Sequence, residues 1–239
     1  MLRAIQRFSL RFGRPIGVSQ YVLNSWGSRG VSILNPVDST IFEPPPDNVR
    51  RDVDVLFVGR MTHDKGVGVL MDALVRLVKE KLVSHAVFVG DGPACPGLAA
   101  RISETGLSTT VQLVGRADAA GVAAWMQRSR VLAFPTTPAW LEAAGLTLLE
   151  ALACGCEVVA SDIGGVAETG GGFIRLVKPG NVDELYDGLR KTLMGESARN
   201  AEVDEYLKQQ TLPEVARRYL QLMKSAVNGS SRPEKRSKV

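Results

Sequence analysis

The sequence predicts an α/β fold: an open parallel sheet with helices on both faces. Three observations predict it. Short runs at 53–58, 85–89, 111–114, 131–134 and 157–160 alternate with helical patterns at 66–82, 96–105, 119–129 and 145–154. Such alternation, with connections of crossover length, means βαβ units. The short runs are largely apolar and rich in valine, as strands covered on both faces are. The composition is that of a globular chain: 239 residues, 45% hydrophobic, 23% charged and 6% aromatic. Those values exclude a disordered or low-complexity protein. At roughly 150 residues per domain, the length corresponds to about 1.6 domains.

The elements follow in order. Residues 2–13 read as a helix with Arg3, Arg7, Arg11 and Arg14 on one stripe and Ile5, Phe8 and Phe12 on a neighbouring face. That is either a basic amphipathic helix lying on a membrane or an ordinary solvated one. Residues 16–19 form a short strand-like run, followed by a helix to about residue 28 and a second short strand at 31–34. Glu43-Pro44-Pro45-Pro46-Asp47 reads as a linker, because consecutive prolines deny both helix and ladder hydrogen bonds. The regular alternation then runs from 53 to 160, and 173–177 adds a sixth strand. Two or three helices close the chain, the last at 213–226. The polar tail from residue 228 reads as disordered. No internal repeat of fixed period is present.

Charge and apolar runs exclude several classes. The net charge of +4 is uneven: residues 1–14 carry +4, residues 227–239 carry +3, and residues 15–226 carry −3. A nucleic-acid-binding body needs its basic patch on the folded domain, so no nucleic-acid partner is expected. The basic ends suit an anionic surface instead. The most apolar stretch, 146–160, is broken by Glu150 and Glu157, so no membrane span is expected. The N-terminus lacks a signal-peptide core and cleavage site. Three cysteines, Cys95, Cys154 and Cys156, make no disulfide framework and fit a reducing cytoplasm.

In an open parallel sheet, ligands bind beyond the carboxyl ends of the strands. Here those ends read Gly59-Arg60, Gly90-Asp91-Gly92-Pro93, Gly115-Arg116, Pro135-Thr136, and Ser161-Asp162 followed by Gly164-Gly165. Glycines at such turns admit close backbone approach to a ligand. Arg60 and Lys65 bracket the first loop, just before the helix opened by Gly66. A helix N-terminus with two cations is an anion site suited to a diphosphate. Read alone, the pair is more simply two solvated loop charges. Familiar nucleotide motifs fail. The segment 59–66 lacks the Gly-Lys-Ser/Thr ending of a P-loop, and neither Gly66-Val67-Gly68 nor Gly90-Asp91-Gly92 completes a dinucleotide fingerprint. That failure disfavours a hydride-transfer enzyme. Asp52-Val53-Asp54 opens a strand, at the wrong edge for a metal-binding carboxylate pair. The two histidines, His63 and His85, and the scattered cysteines have no zinc-ligand spacing, and no Gly-x-Ser-x-Gly elbow exists.

The strongest signal runs from Glu142 to Gly155. Glu142 and Glu150 stand eight apart around a glycine turn, Glu142 on a loop and Glu150 about a turn and a half into a helix. Glu150 lies between Leu149 and Ala151, where a carboxylate is costly without a hydrogen-bonding partner. From spacing alone, a loop glutamate plus a polar-face helix glutamate explains the pattern as well. At this point the chain resembles a known family. Glu142-x7-Glu150 with Gly145-Leu146 is similar to the paired-glutamate signature of glycosyltransferase family 4, retaining enzymes of the GT-B fold. Phe57-Val58-Gly59-Arg60 followed by Lys65-Gly66 resembles that family's donor-phosphate loop. Gly90-Asp91-Gly92-Pro93, Val114-Gly115, Ala153-Cys154-Gly155 and Ser161-Asp162-Ile163-Gly164-Gly165 fall in the family's order. Asn35-Pro36-Val37-Asp38 with Phe42 resembles the family's Asn-Gly-Val-Asp…Phe segment. The resemblance covers about residues 16–226. Ala143-Ala144 stands where the family usually has Pro-Phe.

The resemblance implies roles. Arg60 and Lys65 would neutralise the donor diphosphate, where charge grows on the leaving group. Glu142 would contact the transferred sugar and is grouped with those two as catalytic. Backbone at Gly59, and at Gly145, Leu146 and Thr147 on the helix start, would meet phosphate or sugar oxygens. Glu150 would bind the ribose hydroxyls, and Arg116 and Ala117 would face the base. No metal or other cofactor is implied; the donor is a nucleoside diphosphate sugar, UDP or GDP undecided. The implied fold is a Rossmann-like donor-binding domain at 50–210, the C-terminal half of a GT-B enzyme. Residues 1–49 would be a remnant of the acceptor domain with a linker, 211–226 a C-terminal helix, and 227–239 a disordered basic tail. Most of the acceptor domain, with its catalytic histidine, has no counterpart. The expected function is therefore the donor half of a transferase in polysaccharide or glycolipid biosynthesis. It would be cytoplasmic or peripheral at a membrane, with a saccharide or lipid-linked acceptor. A separate acceptor-domain protein, or self-association, would complete it. The alternatives are a non-catalytic nucleotide-sugar-binding module and a truncated, inactive transferase.

Overall fold

The computed structural model describes residues 15–139 and 142–229. The basic helix expected at 2–13 and the tail from 230 lie outside the described residues. Two short strands, β1 (Ile16–Gly17) and β2 (Val31–Ser32), pair in parallel, with α1 (Gln20–Ser25) between them. The main sheet contains β3 (Val53–Val58), β4 (Ala86–Val89), β5 (Val111–Gly115), β6 (Ser129–Phe134), β7 (Glu157–Ser161) and β8 (Arg175–Val177). All its pairings are parallel, and the spatial order is β5-β4-β3-β6-β7-β8. Each strand is followed by a helix: α2 (Val67–Lys79), α3 (Cys95–Glu104), α4 (Ala119–Gln127), α5 (Leu146–Ala153), α6 (Val166–Gly170) and α7 (Val182–Leu193). Then come α8 (Val203–Gln209) and α9 (Leu212–Gly229).

Strand alternation divides the core into two layers. Val55, Phe57, Phe88, Val131 and Val159 face α2, α3 and α7, where they meet Leu70, Leu74, Leu77 and Leu189. Leu56, Val87, Leu132, Phe134 and Val158 face α4, α5, α6 and α8, where they meet Met126, Leu148, Leu152 and Val203. Both faces are buried, which is why the strands read as nearly continuous apolar runs. Burying each large side chain contributes roughly 1.5–3 kcal/mol.

Several boundaries differ from the sequence expectation. β6 begins at Ser129, because Ser129 already pairs with Val53 and its hydroxyl donates to the Trp125 carbonyl at 2.7 Å. The helix α6 was not legible, since five residues closed by left-handed Gly171 carry no periodicity. The sixth strand is confined to Arg175–Val177; Phe173 instead packs on the Tyr206 ring at 5.3 Å. α9 runs to Gly229 and so enters the segment expected as a tail from 227. The segment just before the expected linker is anchored: Val37 and Phe42 are buried, and Val37 N donates to the Gln210 carbonyl at 2.9 Å. Leu23, on the segment expected as a remnant of the acceptor domain, is also buried. Its side chain fills the space beside Gly17 and Gly30, whose absent Cβ atoms would strike it.

Candidate functional site

The strand order reverses between β3 and β6, because the chain moves out to β4 and β5 before returning on the other side. Such a switch point opens a crevice above the carboxyl ends of the two strands. Gly59 from the end of β3 and Phe134 from β6 both line a cavity of about 90 Å³ there.

The loop after β3 brings Lys65 into this cavity. His63–Lys65 form one turn of 3-10 helix, closed by Gly66 at φ 72°. A Cβ on Gly66 would lie 1.9 Å from the Pro135 carbonyl oxygen, so only glycine lets this loop seat on the loop after β6. Thr137 N also donates to the Asp64 carbonyl at 2.8 Å. Lys65 Nζ then sits 5.7 Å from the Phe134 ring centre and donates to Glu142 Oε2 at 2.5 Å. The two side chains are only 16% and 15% exposed, so the pair is largely desolvated. Charge-assisted bonds are stronger than those between neutral groups.

Glu142 is fixed by backbone contacts. Gly165 N donates to its carbonyl at 2.9 Å, and a Cβ on Gly164 would lie 1.8 Å from that same oxygen. The chain then turns at Gly145 into α5, whose first turn has no side-chain cap. Orphan N–H groups and the helix dipole make that end positive. Gly145, Leu146 and Thr147 line the cavity with Lys65 and Glu142. Lys65, Glu142, an uncapped helix end and Gly59 thus converge from loops far apart in sequence.

The other expected residues lie outside this cavity. Arg60 is exposed and stands 3.7 Å from Asp64. Arg116 is exposed, 3.9 Å from Asp91, and Ala117 beside it is exposed too. Both follow β5, two strands from the switch point. Glu150 is half-buried on α5, and burial raises its pKa. No hydrogen bond to its carboxylate comes from the described residues, so its desolvation is uncompensated. The glycines expected to admit a ligand serve partly otherwise: at Gly90, Gly92 and Gly164 the space a Cβ would fill holds neighbouring backbone.

Asp52 is held below the usual carboxylate range by its hydrogen bond to Arg128, and Asp54 accepts from Arg130 and from Ser84 N. Both are framework contacts at the amino edge of the sheet. No cluster of three His, Cys, Asp or Glu side chains able to hold a metal exists among the described residues. Burial pushes the Cys154 thiol up to about 12 and the Cys156 thiol up to about 11. Among the described helices, none is long and apolar enough to cross a membrane.

Sequence reading assigned no role to Phe134 or Ser19. Phe134 was legible only as the last apolar residue of a strand. Ser19, fully buried, donates its hydroxyl to the Ala143 carbonyl at 2.7 Å. Its signal was that of an N-cap, a serine just ahead of a helical run.

Topology and cavity together define a Rossmann-like domain in which Lys65, Glu142 and the start of α5 meet at the switch point. Residues 52–194 match the family described as glycosyl transferases group 1. The chain belongs to that family. It is 33% identical over 156 residues to the D-inositol 3-phosphate glycosyltransferase of Jonesia denitrificans, covering 57% of this chain and 36% of that one. It is 33% identical over 172 residues to the phosphatidyl-myo-inositol mannosyltransferase of Mycobacterium tuberculosis, covering 70% and 42%. The chain thus spans well under half the length of these relatives. In fold it resembles Anabaena Alr3699/HepE, solved in complex with UDP: TM-score 0.75, 22% identity, covering 88% of this chain and 63% of that one.

Proposed function

We propose that this chain is the donor-binding part of a retaining glycosyltransferase that takes its sugar from a nucleoside diphosphate sugar. One observation carries the reading: Lys65 and Glu142 meet at 2.5 Å in the switch-point cavity, beside the uncapped start of α5. In the free chain the Glu142 carboxylate occupies the anion position on Lys65. A donor diphosphate takes that position, held by Lys65 and by the amides of Leu146 and Thr147. Glu142 is then released toward the sugar hydroxyls. Arg60, on the same loop, adds charge from outside the cavity as the leaving nucleotide gains charge. Glu150 accepts from ribose hydroxyls, which compensates its burial. Arg116 and Ala117 flank the base. In this reading cations and helix amides do the work a metal would otherwise do.

Retention of configuration rests on the resemblance of Glu142-x7-Glu150 to retaining enzymes. UDP bound to a structural neighbour supports a nucleotide donor. A saccharide or lipid-linked acceptor is bound by the remaining part of the machinery, in the same or a second chain. The basic segments 1–14 and 227–239 suit a protein that works against the anionic face of a membrane.

Calorimetric titration with UDP, UDP-glucose, GDP and GDP-mannose tests the reading. One nucleotide class should bind one to one. Lys65→Met should weaken it about 10-fold or more, the worth of a charge-assisted bond. Absence of binding by both classes, or unchanged binding by Lys65→Met, would defeat it.

A further inference from the structure

Two successive carbonyls lead from Glu142 toward α5, and both are held from outside their own loop. Gly165 N donates to the Glu142 carbonyl at 2.9 Å, and Ser19 Oγ donates to the Ala143 carbonyl at 2.7 Å. The Ser19 hydroxyl also accepts from Val22 N at 3.2 Å, so it caps α1 and clamps the Glu142 loop at once. The start of α1 is in turn fixed by α6. Glu168 Oε2 accepts from Gln20 N at 2.6 Å, and Oε1 accepts from Tyr21 N at 2.8 Å. A carboxylate at a helix N-terminus is favoured by the free N–H groups there.

Packing closes the ring. A Cβ on Gly165 would lie 2.2 Å from the Ala143 oxygen and 2.8 Å from Ser19 Oγ. The segments 19–21, 142–143 and 165–168 therefore hold one another with no slack. Ser19 and Glu168 are 124 and 148 positions distant from the groups they hold, so this is a tertiary lock rather than local capping alone.

We propose that Ser19 and Glu168 are positioning residues for donor-sugar recognition. They touch no donor. They act through the Ala143 carbonyl on the backbone of Glu142, and so set its carboxylate beside Lys65. The proposal rests on the donor reading above but concerns residues outside that site. A framework role alone would lower stability without distinguishing one ligand from another. A positioning role must separate the sugar-bearing ligand from the bare nucleotide, because only the sugar meets Glu142.

The experiment uses the full chain and its Ser19→Ala, Glu168→Ala and Glu168→Gln variants. Amide hydrogen exchange is followed over residues 142–149. UDP, UDP-glucose, GDP and GDP-mannose are titrated calorimetrically. Loop exchange should quicken in Ser19→Ala and Glu168→Ala. Affinity for the sugar nucleotide should fall about 5-fold, the worth of one hydrogen bond, with the bare nucleotide within about 2-fold of the parent. Glu168→Gln keeps one acceptor oxygen and should recover part of both losses. Unchanged loop exchange overturns the proposal, as does equal loss of bare and sugar-bearing nucleotide. A parent chain that binds neither nucleotide class refutes the donor reading instead; loop exchange then still decides whether the ring holds Glu142.

Discussion

Replacing Lys65 by methionine isolates the central ion pair. Methionine keeps the side-chain length and removes the charge, leaving Glu142, 15% exposed, with no salt-bridge partner among the described residues. Breaking a fully buried pair from one side costs about 3–5 kcal/mol. Glu142 lies at a crevice mouth and can draw in water, so about 2 kcal/mol is the expected loss here. For a chain of this size that lowers Tm by roughly 4–8 °C. Glu142→Gln added to Lys65→Met should restore most of it, giving a coupling of about 1–2 kcal/mol in the double-mutant cycle. Binding should show a sign that stability does not. If Glu142 competes with phosphate for Lys65, Glu142→Gln alone strengthens the bare nucleoside diphosphate and weakens the sugar nucleotide. Thermal unfolding and calorimetry on the four chains measure both cycles. Additive stability losses, or equal weakening of bare and sugar-bearing nucleotide by Glu142→Gln, would refute the reasoning.

Glu150→Gln should stabilise the free chain at pH 7 while weakening nucleotide binding. Burial raises the Glu150 pKa in the folded chain, so stability from its neutral form is present at low pH and lost as pH rises through the folded value. The urea midpoints of parent and variant should therefore differ at pH 7 and converge below about pH 4. Gly66→Ala places a Cβ 1.9 Å from the Pro135 oxygen at φ 72° and should lose more than about 2 kcal/mol in urea unfolding, together with nucleotide binding. Leu74→Ala, at a fully buried position of α2, should cost about 2–5 kcal/mol without changing the affinity of the folded fraction.

The strands were legible because both sheet faces are covered, so each reads as an apolar run bounded by glycine or proline. Segments tied down by tertiary contacts were not. Phe42 stands one residue before the prolines expected as a linker, and nothing in its spacing shows that it is buried in the core. Helix α6 is shorter than one and a half turns and shows no period. The site was half legible. The separate placement of Lys65 and Glu142 at strand ends could be read from the alternation, and the resemblance attached donor chemistry to both. Their contact across 77 positions is a product of strand order, which spacing does not encode. The partners of Ser19 and Glu168 were hidden for the same reason. Arg60 and Lys65 looked equivalent in sequence; only folding puts Lys65 inside the cavity and leaves Arg60 exposed at its edge.

A structure of the chain with UDP or GDP bound tests the central claim most directly. The account predicts the diphosphate at the β3–β6 switch point, within hydrogen-bond distance of Lys65 Nζ and the Leu146 and Thr147 amides, with Glu142 moved off Lys65. A nucleotide seated elsewhere, or one bound with the Lys65–Glu142 pair intact, would contradict it.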